Sequence, residues 1–155
     1  MKNSVQYHSN EKTHYFHGKL DGDFSYGKLE NLDNPITINL SKVTSVSETG
    51  AIKWVETTKL LHDTTIEIEA ASIPFMDKCD EMSSMITGNV SLRSLLVPYI
   101  CSFCDHVYEA LVKAEQIKMR DFQLDLPASH CTKCGNLGCF NYSKGEFIYL
   151  LIDGL

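Results

Sequence analysis

Cys101-Ser-Phe-Cys104 and Cys131-Thr-Lys-Cys134, the second followed directly by Gly135, decide the fold of the C-terminal third of this chain. Each stretch is a Cys-x-x-Cys turn that aims both sulfurs at one point, and 26 residues separate the two turns. Four thiolates in two such pairs match the tetrahedral, sulfur-preferring coordination of a structural Zn²⁺. The spacing therefore predicts a small β-rich zinc ribbon over residues 90–155, with Cys101, Cys104, Cys131 and Cys134 as the ligands.

Other interpretations of these cysteines stay open at this point. Two disulfides would suit a secreted chain, but residues 1–8 contain no apolar signal segment. A thiol redox pair would need one Cys-x-x-Cys at the start of a helix, whereas two occur here as a set. A Cys₃His site that uses His106 or His130 is a further alternative. Cys79 and Cys139 fit neither pair, and Cys79 is expected in the core.

The chain is predicted to have no enzymatic activity. Four thiolates close a zinc site and leave no open coordination position for catalysis. The sequence contains neither a glycine-rich phosphate loop nor a Gly-x-Ser-x-Gly turn. No nucleophile, base and orienting group can be recognised as a set.

Composition and charge limit the size of the fold, the location of the protein and the kind of partner that it can bind. The 155 residues carry a formal net charge of −6, and 43% of them are hydrophobic, which suits one core with a small added module. No run approaches the ~18 apolar residues of a membrane span, so a cytoplasmic protein is expected. Nucleic-acid binding depends on cationic contacts with phosphate, and an acidic chain argues against it.

The first 89 residues alternate strand and helix patterns, which predicts an α/β sheet covered by helices mainly on one face. Strands are expected at Thr13–Leu20, Pro35–Val43 and Thr64–Ala70, and helices at Ser25–Leu32, at Thr49–Leu61 and after Ser72. Beyond Gly88 the pattern changes to hairpins. The expected strands are Val90–Ile100 with His106–Ala114, and Gly138–Tyr142 with Glu146–Ile152, while residues 116–129 connect the two halves.

The run from Leu20-Asp-Gly-Asp-Phe24 to Pro35-Ile-Thr-Ile-Asn-Leu-Ser-Lys-Val-Thr-Ser-Val-Ser-Glu-Thr-Gly50 resembles the STAS domain, the fold of bacterial anti-sigma factor antagonists. The resemblance covers roughly Val5 to Met85 and makes residues 1–89 a STAS-like domain. It implies a bacterial regulatory module that docks a protein partner, such as a kinase-like anti-sigma factor or another signalling protein. In that family a serine before the helix is phosphorylated, and the partner then dissociates.

This chain departs from the family pattern at the phosphorylated position. With Gly50 aligned on the family's glycine, Glu48 takes the place of the serine, between Ser47 and Thr49. The resemblance thus implies a regulatory loop of Ser45, Ser47, Glu48, Thr49 and Gly50. Glu48 either fixes a charge like that of phosphate or complements the dipole of a helix that Ser47 caps.

Two other functional classes remain beside the regulatory module. A zinc ribbon associated with transcription or nucleic acid would use the same four cysteines, and it predicts salt-sensitive binding to DNA or RNA. A thiol redox protein would instead interconvert dithiol and disulfide forms without loss of fold. Loss of the ribbon on chelation would favour zinc over redox chemistry.

Overall fold

The computed structural model describes residues 4–8, 12–24, 29, 34–86, 88–121 and 123–149. Within these ranges the chain is mixed α/β, with more strand than helix. The two α-helices are α1 (Glu48–Leu60) and α2 (Ile73–Glu81). Neither is long and apolar enough to cross a bilayer, and no other helix in the described ranges is.

A five-stranded sheet forms the first half of the molecule, with the strands in chain order. They are β1 (Ser4–His8), β2 (Thr13–Leu20), β3 (Ile36–Val46), β4 (Ile66–Glu69) and β5 (Val90–Leu92). β1 is antiparallel to β2, whereas β2 to β5 are parallel to one another. The strands expected at Thr13–Leu20, Pro35–Val43 and Thr64–Ala70 are therefore confirmed, although β3 runs three residues further and β4 is shorter.

One face of this sheet is apolar and the other is polar. Ile36, Ile38 and Leu40 on β3 are buried, while the residues between them are only half-buried. On β4, Ile66 and Ile68 are fully buried and the intervening glutamates are not. Because successive side chains of a strand point to opposite faces, this alternation gives the sheet one side against a core.

Both helices cover the apolar face. The Trp54 ring of α1 meets Phe16 of β2 at 6.4 Å and Phe75 of α2 at 5.5 Å between ring centroids, both edge-on. Its indole N–H donates to the Met85 carbonyl at 2.9 Å. The expected helices at Thr49–Leu61 and after Ser72 are confirmed, and Cys79 is buried on α2 as expected. The helix expected at Ser25–Leu32 falls almost entirely outside the described residues.

The single strand expected from Val90 to Ile100 is in fact two strands. β5 belongs to the first sheet and β6 (Ser94–Cys101) to the second, with Arg93 between them. Ala71 joins the two sheets, since its N–H donates to Ser94 at 3.0 Å and its carbonyl accepts from Leu96 at 2.8 Å. The side chain of Arg93 pairs with Glu67 on the polar face. The break at Arg93 lets one segment serve both sheets.

The second sheet has the order β10-β11-β6-β7 and is antiparallel throughout. Its other strands are β7 (Val107–Lys113), β10 (Ser129–His130) and β11 (Leu137–Phe140). The hairpin of β6 and β7 around the first cysteine pair is as expected. The segment 116–129, expected as a plain connection, holds a small hairpin of β8 (Lys118–Arg120) and β9 (Gln123–Asp125).

The expected C-terminal hairpin is confirmed only in its first strand, because β11 overlaps Gly138–Tyr142, and its second strand is wrong over the described residues. A 3₁₀ turn, Tyr142–Lys144, follows β11, and Ile148 and Tyr149 are helical. Phe147 and Ile148 are both buried, with 1% and 0% exposure. A strand would send these consecutive side chains to opposite faces, whereas a helical turn can bury both. Residues 150–152 of that prediction lie outside the described residues.

Candidate metal centre

Both cysteine pairs sit in the same kind of turn. In the first, the Cys101 N–H donates to the His106 carbonyl at 3.0 Å, and the Asp105 N–H donates to the Cys101 carbonyl at 3.0 Å. In the second, the matching bonds run from Cys131 to Asn136 at 2.7 Å and from Gly135 to Cys131 at 2.9 Å. The two turns are therefore structural copies of each other.

The residue after the second cysteine of each turn has a left-handed backbone. Asp105 has a φ of 54° and Gly135 a φ of 76°. Glycine adopts this conformation freely, and aspartate is among the few other residues that tolerate it. Both turns thus carry a residue type that suits the sharp reversal needed to aim two sulfurs at one point.

Strand pairing brings the two turns together. Gly138 of β11 lies opposite Cys101 of β6, so the second turn is folded back over the first. The sulfurs of Cys101 and Cys134 are 3.5 Å apart, and those of Cys104 and Cys131 are 3.7 Å apart. All four sulfurs lie within 4.8 Å of one another. The four cysteines named from the sequence are thus clustered and can hold a metal ion.

The spacing of the sulfurs fits a tetrahedral ion. Zn–S bonds of ~2.3 Å place the sulfurs of a tetrahedron about 3.8 Å apart. A disulfide would need about 2.05 Å, and all six cysteines of the chain are free thiols. The sulfur contacts at 3.5 Å and 3.7 Å join different turns, whereas a Cys-x-x-Cys redox pair would join sulfurs within one turn. A tetrahedral set of four sulfurs suits zinc or iron.

Hydrogen bonds to sulfur set the charge of the cluster. The backbone N–H and then the side-chain amide of Asn136 lower the pKa of Cys134 to about 6. At Cys104 the backbone N–H of His106 favours the thiolate, but desolvation and the three neighbouring sulfurs raise the pKa to about 12. Without a metal, the negative charge therefore resides on Cys134 before Cys104, and an ion must displace the Cys104 proton.

No histidine among the described residues joins the cluster. His106 Nε2 lies 3.2 Å from the Thr132 hydroxyl in the other turn, and His130 Nδ1 lies 3.1 Å from the Gly135 carbonyl. Each ring therefore links backbone or side-chain groups around the sulfurs. The Cys₃His alternative has no support in this arrangement, which favours four thiolates.

Two tyrosines that the sequence reasoning did not single out hold the second turn in place. Tyr99 and Tyr108 lie opposite each other on β6 and β7, and their rings stack at 5.8 Å. The Tyr99 hydroxyl donates to the Pro127 carbonyl at 2.8 Å, and the Tyr108 hydroxyl donates to the Ser129 carbonyl at 3.1 Å. The sequence offers only a weak sign of Tyr108, which follows His106 at strand spacing and therefore lies on the same side of the chain, where the two rings stack.

The loop from Ser45 to Gly50 lies in the other half of the molecule, at the start of α1. Ser45 is half-buried near the end of β3, and Ser47 is the N-cap of α1. The Ser47 hydroxyl accepts from the Gly50 N–H at 3.0 Å and lies 3.0 Å from the Thr49 hydroxyl. Ser47, Glu48 and Thr49 are exposed. The capping role considered for Ser47 is thus present.

Gly50 fixes the helix against β2. An added Cβ at Gly50 would lie 2.0 Å from the Leu20 carbonyl oxygen, so only glycine permits this approach. The Ser47 N–H also donates to the Leu20 carbonyl, at 2.9 Å. Lys53 reaches the Gly22 carbonyl at 2.9 Å. The start of α1 and the turn after β2 therefore form one continuous surface.

No family model, curated protein or solved structure matches this chain. Any functional assignment therefore rests on the residues of this chain and their geometry.

Proposed function

We propose that this protein is a non-enzymatic, cytoplasmic regulatory module that binds a protein partner through the N-terminal end of α1. We also propose that a structural zinc ion stabilises its C-terminal ribbon. The observation that carries the proposal is the exposed turn Ser47-Glu48-Thr49, next to Gly50, which packs against the Leu20 backbone of β2. An exposed, polar helix start that is anchored on the sheet can serve as a recognition surface.

The order of elements supports the resemblance to STAS domains. β3 ends in the loop that the resemblance assigns to regulation, and α1 follows at once. Both helices lie on one side of a mostly parallel sheet, which matches the architecture that the resemblance implies. In such a fold the loops at the carboxyl ends of the strands are free to bind partners.

Charge at this surface points to the kind of partner. Glu48 stands in the first turn of α1, and Asp21 and Asp23 lie in the turn after β2 that Lys53 ties to the helix. Carboxylates are common near a helix start, where free N–H groups favour negative charge. A kinase-like anti-sigma factor or another signalling protein that presents cationic side chains would complement it.

Ser47 already serves as the cap of α1, because its hydroxyl accepts the Gly50 N–H. Glu48 supplies a permanent carboxylate at the position where the family carries its phosphate. The module would then bind constitutively, and its regulation would depend on the partner.

The closed cluster supports a structural zinc. Four thiolates fill a tetrahedral ion, so nothing remains for a substrate or a catalytic water. Zinc would join β6 to the turn before β11 and contribute to folding rather than to chemistry. Metal analysis of purified protein should find one zinc per chain, and one iron instead would overturn the choice of metal.

The proposal is tested by capture from native cells, treated with nuclease, with wild type beside Glu48→Lys and Glu56→Lys. Glu56 is exposed on the same helix, about 12 Å along its axis, and makes a matched charge control. A captured protein is then purified and titrated calorimetrically. We expect Glu48→Lys to weaken its binding by at least about tenfold, since one close charge pair is reversed, and Glu56→Lys to leave it unchanged.

Two outcomes would refute the proposal. One is binding that is equally strong in all three proteins, which would remove the α1 surface. The other is capture of polymerase or another nucleic-acid-processing protein that is lost in Cys131→Ser, which would move the function to the ribbon.

A further inference from the structure

The strand β7 is an edge of the second sheet. β6 is the only partner of β7 within the described part of the chain, and no strand lies on its other side there. The strand is seven residues long and has no proline or bulge. Natural edge strands are protected by such devices or by charged side chains, because their unpaired backbone groups invite another strand. The charged side chains of β7 are Glu109 and Lys113, which have opposite signs.

The backbone pattern shows which groups β7 presents at this edge. The Asn141 N–H donates to the Pro98 carbonyl at 2.9 Å, so Pro98 directs its backbone oxygen toward β11 and away from β7. Glu109 lies opposite Pro98. In an antiparallel ladder bonded and non-bonded pairs alternate, so Glu109, and with it Val107 and Leu111, directs its N–H and C=O outward.

The side chains of the same alternate residues lie on an open face. Val107, Glu109, Leu111 and Lys113 are exposed, and Leu111 is 62% exposed. Tyr108 and Val112, between them, are buried. The edge thus offers free hydrogen-bonding groups beneath a large apolar side chain that is flanked by an acid and a base.

We propose that β7 pairs with β7 of a second copy of this chain, antiparallel and with Leu111 on the two-fold axis. Glu109 and Lys113 are equally distant from Leu111, so this register sets Glu109 opposite Lys113 of the second copy, twice. Leu111 meets its own symmetry mate. Opposite charges and apolar pairs directly across an antiparallel ladder are stabilising.

The same spacing favours a second copy of this chain as the partner that pairs with the β7 edge. A two-fold interface must be self-complementary, and Glu109-Ala-Leu-Val-Lys113 is self-complementary only when antiparallel. In parallel register it would place glutamate on glutamate. The contacts that pairing displaces are weak, namely the Lys113 N–H bond to the exposed Gln116 side chain at 3.2 Å and the exposed Lys113–Glu115 pair at 3.9 Å.

The pairing buries little surface, so we expect a reversible dimer in the micromolar range and not an obligate one. This inference does not rest on the proposed function, because it uses a different surface. Loss of the dimer would leave partner binding at α1 untouched, and the reverse also holds.

Sedimentation equilibrium of the full, metal-loaded chain in reductant tests the inference. Leu111→Lys places two like charges on the axis and should weaken association by at least about tenfold. Glu109→Lys and Lys113→Glu should each weaken it by about tenfold, and the double variant should return to within about threefold of wild type. Lys118→Glu makes the same charge change as Lys113→Glu, but at an exposed site outside β7, and should have no effect on association.

Rescue by the double variant separates pairing from a fold defect, and unchanged metal content and Trp54 emission confirm that each variant is folded. Cys139 is an exposed thiol on β11, so Cys139→Ser must dimerise like wild type. A wild type that stays monomeric at high micromolar concentration overturns the inference, as does a dimer that survives Leu111→Lys or a double variant without rescue.

Discussion

The two halves of this molecule differ in how many of their apolar side chains are exposed. Seven of the nine large apolar side chains that are exposed in the described ranges lie after residue 100, although that part of the chain is the smaller one. Between the first sheet and its helices, by contrast, Phe16, Trp54 and Phe75 are at most 1% exposed, and the Trp54 ring contacts the other two. The second half shares the hydrophobic core through residues such as Leu95, Val97 and Phe147, but it leaves more apolar side chains exposed and adds a cluster of sulfurs.

The difference shows which forces can order each half. Burial of apolar area stabilises the first sheet without any ion, because its helices close over one face. The second sheet buries less, and its tyrosines Tyr99 and Tyr108 act as hydrogen-bond donors to the segment before Cys131. A metal ion held by the four sulfurs would add a cross-link to this half.

Removal of one metal-binding cysteine should have the largest effect on stability, and it should unfold the second half while the first half stays folded. In Cys131→Ser we expect loss of metal and a fall in unfolding free energy of at least about 3 kcal/mol, since structural zinc contributes on the order of 10 kcal/mol in small domains. Amide hydrogen exchange should accelerate across β6, β7 and β11. Trp54, the only tryptophan of the chain, should keep the emission of a buried indole.

Cys139→Ser is the matched control, because Cys139 is an exposed thiol beside the cluster that belongs to neither turn. It should keep the metal and the slow exchange of β6. If Cys131→Ser also exposes Trp54, the two halves unfold as one cooperative unit, and the contrast between them is wrong.

A pair of identical substitutions sharpens the contrast further. An added Cβ meets the backbone oxygen of Leu20 at 2.0 Å in Gly50→Ala, but the side-chain hydroxyl of Tyr108 at 2.1 Å in Gly138→Ala. The backbone of Leu20 cannot move away from the added Cβ, so Gly50→Ala should destabilise the protein by about 3 kcal/mol. This net loss is expected even though alanine favours a helix over glycine by about 1 kcal/mol. The Tyr108 ring can move, so Gly138→Ala should cost about 1 kcal/mol, mainly its bond to Ser129.

Urea unfolding followed by Trp54 emission and by far-ultraviolet dichroism measures both values. Gly88→Ala is a control, since an added Cβ there has no neighbour within 4 Å and only its positive φ opposes the change. Equal losses in Gly50→Ala and Gly138→Ala would mean that the β11 segment is as rigid as the start of α1.

The first half could be predicted from the sequence because its signals are local. The alternation of Ile36, Ile38 and Leu40 marks a strand with one buried face, and the spacing of Ala51, Trp54 and Thr58 marks a helix. The four cysteines were also identified, since the turn that each pair needs is written into its spacing. What brings the turns together is the pairing of Gly138 with Cys101, which spacing alone does not reveal.

The errors fall where tertiary contacts decide. Val90 to Ile100 has the pattern of one strand, and the backbone bonds of Ser94 and Leu96 with Ala71 divide it between two sheets. Phe147 and Ile148 have strong strand preferences, but both are drawn into the shared core, which a helical turn allows. Tyr99 and Tyr108 were missed because their acceptors, the carbonyls of Pro127 and Ser129, carry no sequence signal.

The smallest effect concerns the charge on Cys134. Its pKa is lowered to about 6 by N–H groups of Asn136, so at neutral pH Cys134 accepts a metal without releasing a proton. As pH falls through this value, a metal must displace one more proton, and binding weakens more steeply. Asn136→Ala keeps the backbone donor but removes the side-chain donor, 3.4 Å from the sulfur, so the pKa should rise.

We therefore expect Asn136→Ala to weaken zinc binding by about threefold near pH 7. The gap from wild type should widen as pH falls toward 6 and narrow at alkaline pH, where Cys134 is a thiolate in both proteins. Competition with a chromophoric chelator across pH measures it. Thr132→Ala, in the same turn but bonded to His106, should show no such pH dependence. A gap that stays constant with pH would mean that Asn136 positions the turn and does not set the charge of the sulfur.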